Sequence, residues 1–244
     1  MKTHIKAIIA ALAITAGTAF AAVPTGTPVF TNPTNINNQF YPFTPGAYRL
    51  YIGASEGVPT AAVYVCTDET RTFVFNGQNV VTRVLREINY ERGKLIEFTD
   101  NFFAQADDGT VYYFGETVYN YDEDGNIADN HGSWLVNGPT LPTDPASTAT
   151  AGAPTIYMPA NPEVGDVFFP EDTLPFVHER DQVKKTGKVV VARGTKYRDC
   201  MQIEESSQIS TGKELKWWAR GVGVIRTQGI NEHSQLAASS FRQP

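Results

Sequence analysis

The stretch DNFFAQADDGTVYYFGETVYNYDEDGNIADNHGSW, residues 100–134, decides how the chain is read. Two Asp/Gly turns, Asp107-Asp108-Gly109 and Asp122-Glu123-Asp124-Gly125-Asn126, bracket the aromatic run VYYFGETVYNY. Asp, Asn and Gly accept the backbone of a tight turn, while a β-branched and aromatic run suits a pleated, half-buried surface. The stretch therefore predicts a β-meander, around which the rest of the chain supplies strands.

Outward from it, strand-like segments lie at 47–52 (AYRLYI), 61–66 (AAVYVC) and 72–75. Asn76-Gly77 turns the chain into 79–90 (NVVTRVLREINY), and residues 91–93 turn it again into 94–103 (KLIEFTDNFF). On the C-terminal side, 187–193 (GKVVVAR), 196–205 (KYRDCMQIEE) and 215–227 (LKWWARGVGVIRT) read the same way. Alternation with turns about ten residues apart favours antiparallel sheet over helix. The expected fold is mainly β, an antiparallel meander closing into a lipocalin-like barrel. A two-sheet β-sandwich, which has the same alternation, is the alternative. One β-domain is expected over residues 46–230, with 41% hydrophobic residues in the chain to fill its core. Residues 23–45 (VPTGTPVFTNPTNINNQFYPFTP) read as an extended leader laid over the barrel through Phe40, Tyr41 and Phe43. Residues 137–153, rich in Pro, Thr, Ala and Gly, read as a mobile loop, and residues 231–244 as a polar tail.

Residues 1–22 carry Lys2 and Lys6, then the apolar run AIIAALAITAGTAF, then small residues. That order is the pattern of a signal peptide, which places the mature protein in the periplasm or the medium. No other segment approaches the roughly 20 apolar residues that a transmembrane helix requires. An exported compartment is oxidising, so Cys66 and Cys200 are expected to form a disulfide, with two separate buried thiols as the alternative.

The formal charge of −6 becomes −8 without Lys2 and Lys6. From Leu95 to Glu179 there are 15 Asp and Glu and no Lys or Arg, whereas Arg180 to Pro244 holds 12 Lys and Arg against 6 acids. An acidic middle either attracts the basic end within one fold or concentrates cations. With only the C-terminal third basic, a nucleic-acid partner is not expected.

The three pieces DNFFAQADDGTVYYFGE, GSW at 132–134 and GAPTIYMPANPEVGD at 152–166 together resemble a family of exported bacterial proteins. Its shared core runs D-W-[FY]-A-Q-D-x-D-G-N-V-W-Y-F-G-E, then G-S-W, then P-G-I-x-M-P-A-x-P-x-V-G-D. The closing segment WWARGVGVIRT is similar to the Y-Y-A-P-G-V-G-x-V strand of lipocalin-like exported β-barrel families. The resemblance covers about half of the mature chain and implies export and a barrel, with no activity attached. Ala106 stands where the family has Asp and Thr110 where it has Asn, so a cation site that relatives build on those two side chains is not expected to carry over.

Chemistry is concentrated in two places. Asn120, Asp122, Asp124, Asn126 and Asp129 offer oxygens at alternate positions around a tight loop, an arrangement suited to calcium, although the same residues also make a plain hairpin turn. Tyr112, Phe114 and Glu116 share one face of a strand by alternation and, with Trp134 and Trp217, could line a barrel cavity for a small apolar molecule. Trp217 and Trp218 must face opposite ways, so at most one lines the interior. His131 and His178 sit beside acids but lack the close spacing of a transition-metal pair. No Ser elbow, Cys/His pair, phosphate loop or HExxH occurs. The expected function is therefore an exported binding protein for a small apolar ligand or a divalent cation. A hydrolytic enzyme using paired carboxylates and a structural cell-envelope protein are the alternatives.

Overall fold

The computed structural model describes residues 23–244, so the expected signal peptide at residues 1–22 lies outside the described residues. Among those described, every regular element is a β-strand, and no helix is long and apolar enough to cross a membrane. The first strands are β1 (Tyr48–Ser55), β2 (Val58–Phe75), β3 (Gln78–Glu91), β4 (Lys94–Gln105) and β5 (Val111–Tyr121). Short strands follow: β6 (Ile127–Asp129), β7 (Trp134–Val136), β8 (Ala149–Ala151) and β9 (Thr155–Met158). The last six are β10 (Val167–Thr173), β11 (Val177–Ala192), β12 (Thr195–Ser206), β13 (Lys213–Ala219), β14 (Gly223–Gln228) and β15 (Glu232–Ser239).

They form one sheet in the order β10-β11-β12-β13-β14-β15-β1-β2-β3-β4-β5-β7-β8, with β6 and β9 also paired to β5. Neighbours are antiparallel apart from β7 and β8. The turns explain the regularity. Glu56-Gly57, Asn76-Gly77, Arg92-Gly93 and Arg193-Gly194 all have positive φ at both residues. Two-residue turns of that hand match the twist of the strands they join and lock the hairpin register. The sheet curls on itself until the hydroxyl of Thr155 on β9 donates to the Pro170 carbonyl on β10. The result is the expected barrel, nearly closed. The stretch read as a polar tail supplies β15, which pairs Arg49 with Ser239 and gives β1 its second neighbour. The segment 137–153 contains β8 and is tied down by Asp144, whose carboxylate takes both terminal nitrogens of Arg71 at 2.7 and 2.8 Å.

The leader, residues 23–45, has no strand and crosses one end of the barrel. Gln105 Oε1 accepts the amides of Asn37 and Asn38, and Asn38 Nδ2 donates to the carbonyls of Gly109 and Pro159. Phe40, Tyr41 and Phe43 are buried as expected, Tyr41 against Phe103, Tyr157 and Trp218. Phe30 lies farther out, edge-on to Tyr112 and Phe114.

The two cysteines are not joined. Cys66 is buried in the main core and Cys200 in a smaller one with Val190, Ala192, Ala219 and Ile225. The sequence offered no way to see that the chain builds two separate cores, each with its own thiol. Burial raises both thiols, that of Cys200 to about 11, so neither is a reactive thiolate near neutral pH.

Candidate functional site

Strict alternation would place Tyr112, Phe114 and Glu116 on one face of β5, but the structure separates them. Asn101 pairs with Glu116 and Phe103 with Tyr113, so three residues of β5 advance against two of β4. This bulge puts Tyr113 and Glu116 on the same side. It centres on Gly115, at φ +116°, where a Cβ would come 2.1 Å from the Trp134 carbonyl oxygen. Tyr112 and Phe114 consequently pack outward under Phe30, with Phe114 also touching Phe73 and Phe75. Trp134 is fully buried and pairs with Glu116. Trp218, 3% exposed, rather than Trp217 faces the core, while Trp217 carries the Arg226 guanidinium 4.8 Å from its ring. Of the expected ligand-binding set, Glu116 and Trp134 are brought together, and Tyr112, Phe114 and Trp217 face elsewhere.

Register follows the interior face from strand to strand. Glu87 lies opposite Tyr64 and Thr99, Asn89 opposite Glu97, Glu116 opposite Trp134, Glu171 opposite Glu179, and Glu205 opposite Asp181 and Glu214. Val183, Ile203, Met201, Lys216 and Trp218 continue the same faces. The interior therefore has two halves. Near the leader it is aromatic and filled: Tyr41, Phe103, Tyr113, Tyr157 and Trp218 contact one another at ring distances of 4.6 to 6.4 Å. Toward the opposite end it carries the carboxyl groups of Glu87, Glu97, Glu116, Glu171, Glu179, Asp181, Glu205 and Glu214. Lys216 is the cation set among them. Arg49, on the same face of β1, is held at the leader end by the carbonyls of Val222 and Pro42.

Part of this charge is organised by hydrogen bonds. Tyr64 Oη and Asn89 Nδ2 donate to Glu87 Oε1 at 2.9 and 2.8 Å, and Asn89 Nδ2 and Thr99 Oγ1 donate to Glu97 Oε1 at 3.2 and 2.9 Å. Lys216 Nζ bonds Glu179 Oε1 at 2.9 Å and also reaches Glu205 Oε2. Asp181, 2% exposed, has an Oδ1 with no partner, as do the buried Tyr41 Oη and Trp218 Nε1.

Burial of so many acids moves their proton affinities. It pushes Glu87 up to about 7, helped by the Glu97 charge. It does the same to Asp181, where Lys216 works against it and Glu205 with it. Burial also holds Glu116 and Glu179 well above the ordinary carboxylate range; Glu116 is raised further by the Glu171 carboxyl to which it hydrogen-bonds. Burial raises Glu205 too, but Lys216 and a hydrogen bond from Glu179 outweigh it, leaving Glu205 below the ordinary range. Near neutral pH the interior is thus a mixture of carboxylic acids and carboxylates around one ammonium.

Access is from the end away from the leader. A cleft of about 360 Å³ runs between the β1–β2 turn, the β12–β13 loop and the β14–β15 turn, and its walls include Glu205 and Glu214. Glu179, Glu205 and Lys216 each keep 20 to 25% of their side-chain area accessible. They are walled in by strands yet reachable by water.

The acidic hairpin behaves differently. Asp122 Oδ1 accepts the amides of Asp124 and Asn126, and Asp129 Oδ1 accepts Asn120 Nδ2 and the His131 amide. Asp122, Asp124 and Asn126 are exposed, and the Asp122 carboxylate serves the turn itself. Among the described residues, the three carboxylates that come together are Glu179, Asp181 and Glu205. Glu179 and Asp181 share β11, but Glu205 lies at the far end of the next strand of the same hairpin, so only the β11–β12 register, with its irregularities, brings the three together. His131 is exposed, and His178 is buried against Gln208 and Phe169, so the two do not form a pair. Compared with known proteins, the chain matches no family model, no curated protein and no solved structure.

Proposed function

We propose that this chain is an exported binding protein that holds a cation-bearing ligand in the acidic half of its barrel. The reading is carried by the excess of interior carboxyl groups over Lys216. A barrel interior that served packing alone would be apolar, since each enclosed carboxylate without a partner costs several kcal/mol and removing one member of a buried pair strands the other. A cationic ligand would supply the missing charge. The open cleft beside Glu205 and Glu214 supports entry from solvent. An apolar ligand has less support, because the aromatic half is occupied by the protein's own rings.

The test is calorimetric titration of the purified chain with divalent metal salts and with an aliphatic diamine. Saturable binding is expected, weakened at least tenfold by Glu205→Gln combined with Glu214→Gln. Failure of both ligand classes to bind would end the proposal.

One observation favours a second reading. A carboxylic acid, Glu116, hydrogen-bonded to a second carboxyl, Glu171, is the kind of proton-sharing pair that aspartic-protease-type hydrolysis employs. Hydrolysis of peptides by the intact chain, abolished in Glu116→Gln, would favour an enzyme over a binding protein.

A further inference from the structure

We propose that Glu179, Asp181 and Glu205 form a binding site for a hard divalent cation, of the calcium, magnesium or manganese class, with Lys216 as its built-in neighbour. The inference rests on the cation reading above and narrows it to one place and one ligand class. Glu179 and Asp181 are two apart on β11 and so project to the same side, and Glu205 on β12 lies directly opposite Asp181. One ligand oxygen from each lies within 4.8 Å of the others, close enough for a single ion to touch all three.

A second observation is independent of that convergence. Asp181 is 2% exposed, yet its Oδ1 has no hydrogen-bond partner. A buried carboxylate oxygen left unpaired is costly, and native interiors seldom tolerate one without an ion, ligand or water to meet it. Lys216 does not serve it, being engaged with Glu179 and Glu205.

Donor chemistry selects the ion. All three ligands are carboxylate oxygens, with no thiol or imidazole in the set, and such sites favour hard cations over zinc or copper. Charge selects the valence. Ion binding displaces the protons that burial leaves on Glu179 and Asp181; the three carboxylates and one ammonium then carry two net negative charges, which one divalent ion neutralises. Access through the cleft at Glu205 leaves room for water to complete the coordination shell.

The experiment uses the whole chain, stripped with chelator and titrated separately with calcium, magnesium and manganese chloride, followed by calorimetry and by melting temperature. One ion per chain is expected for at least one of the three. Asp181→Asn, which keeps the shape and removes the charge, should weaken it at least tenfold, and Glu205→Gln similarly, both with unchanged far-UV circular dichroism. Two substitutions guard against one of them failing to fold. Binding that survives Asp181→Asn and Glu205→Gln but disappears in the Asp122→Asn, Asp124→Asn double variant would overturn the assignment in favour of the hairpin turn. Binding that survives all of these variants would overturn it too, leaving only the broader cation reading. If no metal binds while the diamine does, the metal proposal falls and the cation reading stands. If neither binds, both fall.

Discussion

Gly115 decides which side chains reach the barrel interior. Its positive φ and the absence of a Cβ let the bulge form against the Trp134 carbonyl, and the bulge turns Tyr113 and Glu116 inward together. Gly115→Ala would force a carbon to within 2.1 Å of that oxygen, in a backbone region that L-residues avoid. We expect a loss of about 3 kcal/mol or more, read from the denaturant midpoint, since strained backbone and steric overlap add. A loss under 1 kcal/mol would show that the bulge is not held at this residue. The same position explains a failure of reading by alternation. The run VYYFGETVYNY was legible as a strand, but one extra residue swaps every later side chain to the other face. A Gly inside an aromatic strand is the signal that could have disclosed it.

At the level of elements, the hairpins were the most legible part of the chain. Asn76-Gly77, the turn at 91–93 and the two Asp/Gly turns around β5 all lie where the sequence puts them, because local residues alone set them. Segments whose structure depends on distant partners were not legible. Residues 137–153 read as loose because they are poor in large apolar groups, yet Asp144 bonds Arg71 bidentately and also accepts the amides of Thr140 and Leu141. Both side chains are under 10% exposed, and the guanidinium lies 4.9 Å from the rings of Phe73 and Phe102. Asp144→Ala would leave a buried arginine unpaired, with an expected cost of about 3 to 5 kcal/mol. It should also make the bonds between residues 137 and 149 the first to be cut in limited proteolysis. A variant as stable and as protease-resistant as the parent would refute that role for the pair.

Across the whole molecule, eight acids spread from Glu87 to Glu214 face one enclosed space, which only strand order and register can reveal. The sequence does show an acidic middle, but four of the eight interior carboxyls, Glu87, Asp181, Glu205 and Glu214, lie outside the span 95–179, so composition alone points to only half of the set. Their joint effect is a pH dependence with a definite sign. Glu87 and Asp181 release their protons near pH 7 in the folded chain and near 4 when unfolded. The folded state therefore holds more protons between these values, and stability falls as pH rises from about 4 to 7. For Glu87 alone the limit is about 3 kcal/mol, from 1.36 kcal/mol per pKa unit. We expect metal-free protein to have a lower denaturant midpoint at pH 8 than at pH 5, with the difference reduced in Glu87→Gln. Equal or greater stability at pH 8 would contradict this account of the interior. Finally, the pairing of Arg49 with Ser239 sets the order in which the molecule can assemble. The first strand acquires its second ladder only from residues 190 positions later, so the hairpins can form early while the barrel waits for the last strand. Non-local closure of that kind makes folding slow, on the scale of milliseconds to seconds. Until it occurs, β1 presents an unpaired edge to any other chain in reach.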